Sequence, residues 1–131
     1  MIVEDEQSLQ EAITLKLKSL GIETVAFASG QEAIDYLKNL SSLNDLPDLI
    51  WLDYYLKDLN GLEFMRQLKQ HNSLAKIPVI VVSNSASPEK VKKMYDLGAE
   101  KYFLKAEKRL DEMVEVIYQL LKERGKAQEN G

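Results

Sequence analysis

The chain has 131 residues and a formal net charge of −4, from 17 Lys+Arg against 21 Asp+Glu. That is the length of one domain, and it lacks the basic footprint of a nucleic-acid binder. Hydrophobic residues make up 45% and charged residues 29%, a balance that excludes a disordered chain, while zero cysteines and one histidine, His71, exclude disulfides, thiolate nucleophiles and Cys or His metal clusters.

Short apolar, β-branched runs alternate with helical periodicities. Met1–Val3 reads as the first strand. Leu9, Ala12, Ile13, Leu17 and Leu20 then share one helical face, and Gly21 suits the left-handed residue that ends the helix. Ile22–Phe27 is the second strand, and Ser29 with Glu32 has the spacing of a capping box. Leu40–Pro47 reads as a loop and Asp48–Leu52 as the third strand. Asn60 with Glu63 opens the third helix. Ile77–Val82 is the fourth strand, and Ser87-Pro88 caps the next helix, with Gly98 past its end. Lys101–Leu104 is the fifth strand. Leu110, Met113, Val114, Ile117 and Leu120/Leu121 form the stripe of the last helix, which ends with Lys122 and Arg124 before Gly125. The spacing predicts one domain over 1–124 and a polar tail over 125–131. No apolar run approaches the ~20 residues that span a bilayer. Glu4, Asp5 and Glu6 follow Met1 too closely for a signal peptide, so a cytoplasmic location is expected. Three residues make a short first strand, which suggests a natural chain that begins earlier.

Five strand–helix repeats imply an α/β fold, with right-handed crossovers and a parallel sheet covered on both faces. In such sheets ligands bind beyond the carboxyl ends of the strands. Glu4 and Asp5 follow the first strand, Asp53 ends the third, Ser83 ends the fourth and Lys105 ends the fifth. Three carboxylates brought together repel one another and favour a cation. All-oxygen ligands favour Mg²⁺, which keeps waters and shares phosphate oxygens. With the cluster neutralised, Asp53 can act as a carboxylate nucleophile and form an aspartyl phosphate. Lys105 and Ser83 would meet the other phosphoryl oxygens, since phosphoryl transfer needs positioning and charge neutralisation above all.

These residues resemble the receiver domain of bacterial two-component response regulators over almost the whole chain. The matching segments are Ile2-Val3-Glu4-Asp5-Glu6, Asp48–Asp53 with Gly61, Pro78–Ser83 and Gly98–Lys105. The resemblance implies a flavodoxin-like (βα)5 three-layer sandwich with sheet order 2-1-3-4-5. It implies Asp53 as phosphoacceptor, fed by a phosphohistidine on a sensor histidine kinase or a histidine phosphotransfer protein. Mg²⁺ would be held by Glu4, Asp5, Asp53 and the backbone carbonyl of Tyr55. Ser83 and Tyr102 would form the switch. In that scheme phosphorylated Asp53 draws in the Ser83 hydroxyl, Tyr102 turns inward, and the face built from helix four, strand five and helix five changes its preference for a downstream protein target. A homodimer on phosphorylation is left open. Tyr55 and Asn84 occupy positions that tune dephosphorylation in the family. The implied role is a signalling domain rather than an enzyme, though one able to catalyse its own phosphorylation and dephosphorylation, with no direct nucleic acid and no membrane as partners.

Two departures stand out. Lys57 replaces a frequent proline four residues after the acceptor. Ala106 follows Lys105 where the family usually has a cis proline. A cis bond to a non-proline residue costs roughly 2.5–4 kcal/mol, so either a strained cis bond or a trans bond with a displaced loop is expected there. These departures keep open a pseudo-receiver, a binding module that works without phosphorylation. An aspartate-nucleophile phosphatase needs an acid two residues after the nucleophile, and Tyr55 stands there. A flavodoxin needs a phosphate-cradling loop where Glu4-Asp5-Glu6 would repel phosphate. Other residues have plainer readings: Trp51 as core beside the site, His71 as a helix-end residue, and Lys90, Lys92 and Lys93 as a solvated basic face.

Overall fold

Polar side chains at the loop–helix junctions set where the helices begin. The structure, a computed structural model, describes residues 1–125. Ser29 Oγ accepts from the Glu32 amide (3.3 Å), Asn60 Oδ1 from the Glu63 amide (2.9 Å) and Ser87 Oγ from the Lys90 amide (3.2 Å). Each satisfies an amide that the first helical turn leaves unpaired. The helices are α1 (Gln7–Ser19), α2 (Gly30–Lys38), α3 (Gly61–Lys69), α4 (Pro88–Asp96) and α5 (Leu110–Glu123). Gly21 and Gly98 follow α1 and α4 at φ +77° and +99°, a region costly for residues with a Cβ.

The strands are β1 (Ile2–Val3), β2 (Ala26–Phe27), β3 (Ile50–Asp53), β4 (Val79–Ser83) and β5 (Lys101–Leu104). All pair in parallel, in the order β2-β1-β3-β4-β5 expected from the resemblance. Successive residues of β3 and β4 point to opposite faces, and both faces are buried. Ile50, Leu52, Val79 and Val81 meet the core under α2 and α3. Trp51, Ile80 and Val82 meet the core under α1 and α5, with Ile13, Leu17, Met113, Val114 and Ile117. Among the described residues, no helix is long and apolar enough to cross a membrane.

Several boundaries differ from the expected ones. β2 is two residues long rather than Ile22–Phe27, because β1 offers pairing partners only to Ala26 and Phe27. β3 begins at Ile50, and β4 begins at Val79 and takes in Ser83. The expected loop Leu40–Pro47 contains a 3₁₀ turn, Leu43–Asp45, capped by Ser42. No cis peptide bond occurs among the described residues, so Lys105–Ala106 is trans. The chain leaves β5 in a turn in which the Glu107 and Lys108 amides donate to the Leu104 carbonyl. The predicted tail lies outside the described residues from 126 onward.

Candidate functional site

Strand pairing brings the carboxyl ends of four strands to one rim. The Glu4 amide donates to the Phe27 carbonyl (3.0 Å), which holds residue 4 at the edge of β2. The Tyr54 amide donates to the Val82 carbonyl (2.9 Å) and the Lys105 amide to the Ser83 carbonyl (2.8 Å). The ladder therefore fixes Asp53, Ser83 and Lys105 as neighbours just as the sheet ends. Gly61 completes the loop after β3: its amide donates to the Tyr54 carbonyl (2.7 Å). A Cβ at Gly61 would lie 2.8 Å from the Tyr54 ring, so a larger residue would push that ring aside.

The result is a cluster of buried charge. Glu4 is 0% exposed and Asp53 5%, and Ser83 is fully buried. One carboxylate oxygen from each of Glu4, Asp5 and Asp53 lies within 4.8 Å of the others. Lys105 Nζ is 3.3 Å from Glu4 Oε1 and 3.8 Å from Asp53 Oδ1. Burial pushes the Glu4 carboxyl up to about 7, and its hydrogen bond to Asp53 and that residue's charge push the same way. Lys105 and the Glu6 amide, which donates to Glu4 Oε2 (3.2 Å), oppose the rise. Burial also raises Asp53, against its hydrogen bond with Glu4, the Lys105 charge and the Tyr55 amide, which donates to Asp53 Oδ1 (3.2 Å). Burial thus raises both members of the Glu4–Asp53 pair. Three acids face one ammonium, an all-oxygen donor set with negative charge in excess. That is the chemistry of a hard divalent cation site.

Ser83 Oγ accepts from the Ser85 amide (3.2 Å), and its hydroxyl is also hydrogen-bonded to that of Tyr102. Tyr102 is half-buried. Its hydroxyl donates to the Ser85 carbonyl (2.7 Å), and its amide donates to the Tyr95 hydroxyl (3.0 Å). The aromatic side chain expected to turn inward is therefore engaged with the loop after β4 in this structure. Trp51 lies in the core under α1 and α5.

Two residues of this rim escaped the sequence reading. Asp58 accepts from Ser29 Oγ (2.8 Å) and from the Gly30 and Gln31 amides (3.1 and 2.9 Å), so the loop after β3 caps α2 from outside. Lys90 belongs to the basic run read as a solvated face. Lys92 fits that reading, paired with Asp96 on its own helix (2.7 Å). Lys90 instead reaches Ser85 Oγ (3.0 Å) and the Tyr55 hydroxyl. A lysine in the first turn of a helix opposes the macrodipole, and that was the available signal.

Residues 1–118 match the family model of the response regulator receiver domain. The chain belongs to that family. It is 32% identical over 120 residues to the gliding motility regulatory protein of Myxococcus xanthus, covering 92% of this chain but only 15% of that protein's length. Among solved structures it is similar to the manganese-bound form of the response regulator Rcp1, with 26% identity and a TM-score of 0.78, covering 98% of this chain and 96% of that one. It is also similar to the phosphorylated cyanobacterial phytochrome response regulator RcpA, with 28% identity and a TM-score of 0.75, covering 92% and 89%. As a receiver domain this chain is a two-component signalling module with a flavodoxin-like fold.

Proposed function

We propose that this receiver domain, residues 1–124, is a phosphoacceptor in which Asp53 takes a phosphoryl group from a phosphohistidine on a sensor histidine kinase or histidine phosphotransfer protein in the cytoplasm. The observation that carries this reading is the buried Glu4–Asp53 pair, with an Asp5 carboxylate oxygen within 4.8 Å and Lys105 within ion-pairing reach. An Asp53 Oδ forms the new O–P bond as the P–N bond of the donor breaks, and the histidine nitrogen leaves with the electron pair. Glu4, Asp5, Asp53 and the Tyr55 carbonyl would hold Mg²⁺. When bound, the ion neutralises the acids and the phosphoryl oxygens. Lys105 then exchanges Asp53 for a phosphoryl oxygen, and Ser83 redirects its hydroxyl hydrogen from Tyr102 to another.

That new bond links the loop after β4 to the acceptor. Tyr102 is tied to the same loop through the Ser85 carbonyl, so a shift of Ser83 carries to β5 and α4. The face of α4, β5 and α5 would thereby change its preference for a downstream protein.

The test is incubation with Mg²⁺ and acetyl phosphate, read by intact mass. The expected result is one phosphoryl adduct on the wild-type chain, none on Asp53→Asn, and none in the presence of a chelator. A wild-type chain that stays unmodified would overturn this reading in favour of a binding module that works without phosphorylation.

A further inference from the structure

The first turn of α4 is bound to two loops by a single ammonium. Lys90 Nζ donates to Ser85 Oγ (3.0 Å) and to the Tyr55 hydroxyl, and those two oxygens lie 2.9 Å apart. The same nitrogen sits 4.5 Å from the centre of the Tyr55 ring and 4.7 Å from that of Tyr54. Two aromatic faces and two hydroxyls offset the unfavourable placement of a cation at a helix start. The other end of α4 is tied as well, through Tyr95 to the Tyr102 amide, and Tyr102 returns to Ser85.

The clasp grips the acceptor's immediate surroundings. The Tyr55 amide donates to Asp53 Oδ1, and Ser85 supplies the amide that holds Ser83. The Tyr55 side chain remains 47% exposed, so it lies on the solvent side of a carboxylate that is itself buried.

We propose that Lys90 is a positioning residue: it clasps Tyr55 and Ser85 across the mouth of the acceptor pocket, so that the seating of α4 governs how fast water reaches an acyl phosphate on Asp53. This rests on the phosphoacceptor reading above. Hydrolysis adds water across the P–O bond and returns the Asp53 carboxylate and inorganic phosphate, so access of one water is the quantity gated.

The experiment follows loss of the phosphoryl group after the small donor is removed, with Mg²⁺ saturating. Lys90→Met keeps the aliphatic stem and removes the ammonium. It is expected to speed the loss by about 3–10-fold, the scale of a lost cation–π contact with its hydrogen bonds. Lys90→Arg is expected to stay within about twofold of wild type, because it keeps the cation over the rings. Tyr55→Phe combined with Lys90→Met should decay no faster than Lys90→Met alone, since both remove one contact. Hydrogen exchange at residues 84–87 should also quicken in Lys90→Met while the melting temperature holds. Equal decay in wild type and Lys90→Met, or strictly additive effects of the two substitutions, would overturn the clasp alone. A wild-type chain that accepts no phosphoryl group overturns the phosphoacceptor reading first and the clasp with it.

Discussion

The two ends of the sheet both bury charge, and they handle it differently. At the carboxyl rim, Glu4, Asp5 and Asp53 converge on Lys105, and burial raises the two most enclosed acids. At the amino rim a single charge is buried. The Met1 ammonium donates to the Leu49 carbonyl (2.9 Å), and burial lowers it from 8.0 to about 6, against the pull of Asp48. Beneath it lies a cavity of about 830 Å³ between Ile22–Val25 on one side and Leu46–Leu49 on the other. Trp51 also lines it, and its indole Nε1 has no hydrogen-bond partner among the described residues. Desolvation acts at both rims and always against the charged form. Only the carboxyl rim gathers enough like charge for a bound divalent ion to reverse the penalty. The cluster at the carboxyl rim is thereby a candidate cation site.

The largest expected break in that contrast is Lys105→Met. It removes the one ammonium among three acids and should slow adduct formation from acetyl phosphate by about 10²–10³-fold, the usual scale for losing one donor to developing oxyanion charge. Stopped-time mass spectra measure it.

Next comes the ion itself. At pH 7.5, Mg²⁺ at 100 times its dissociation constant should add about 2.7 kcal/mol to unfolding stability. Asp5→Asn should reduce that gain. Urea denaturation with and without the ion measures it.

The pH dependence of the ion-free protein sharpens the comparison further. Glu4 binds its proton more tightly folded, so its contribution falls as pH climbs from 4.5 to about 7. Stability of the ion-free protein should therefore fall across that window, read by urea denaturation at a series of pH values. Glu4→Gln should abolish the fall.

The smallest effect belongs to Asp58→Ala. Loss of this external cap on α2 should cost about 1 kcal/mol, read by thermal unfolding, with adduct formation retained.

How much of this could be read from the chain depended on how local the cause was. The helix starts at Ser29, Asn60 and Ser87 were legible because a cap and its amide are three residues apart. The convergence of Glu4, Asp5, Asp53 and Lys105 was legible because each stands where an apolar run stops, and a parallel sheet puts those stops on one rim. The length of β2 was not, since a strand extends only as far as its neighbour offers partners. Asp58 and Lys90 were missed for a related reason. Asp58 acts on residues 27 and 28 positions earlier, and Lys90 joins a tyrosine 35 positions back. No periodicity encodes such pairs.

Sequence alone therefore determined the order of elements, the apolar faces and the identity of the acidic rim, because burial and capping are short-range demands. Tertiary structure decided which acids burial raises and how Tyr102 and Lys90 are engaged. Those depend on desolvation and on distances of a few ångströms between segments that meet only when the sheet closes.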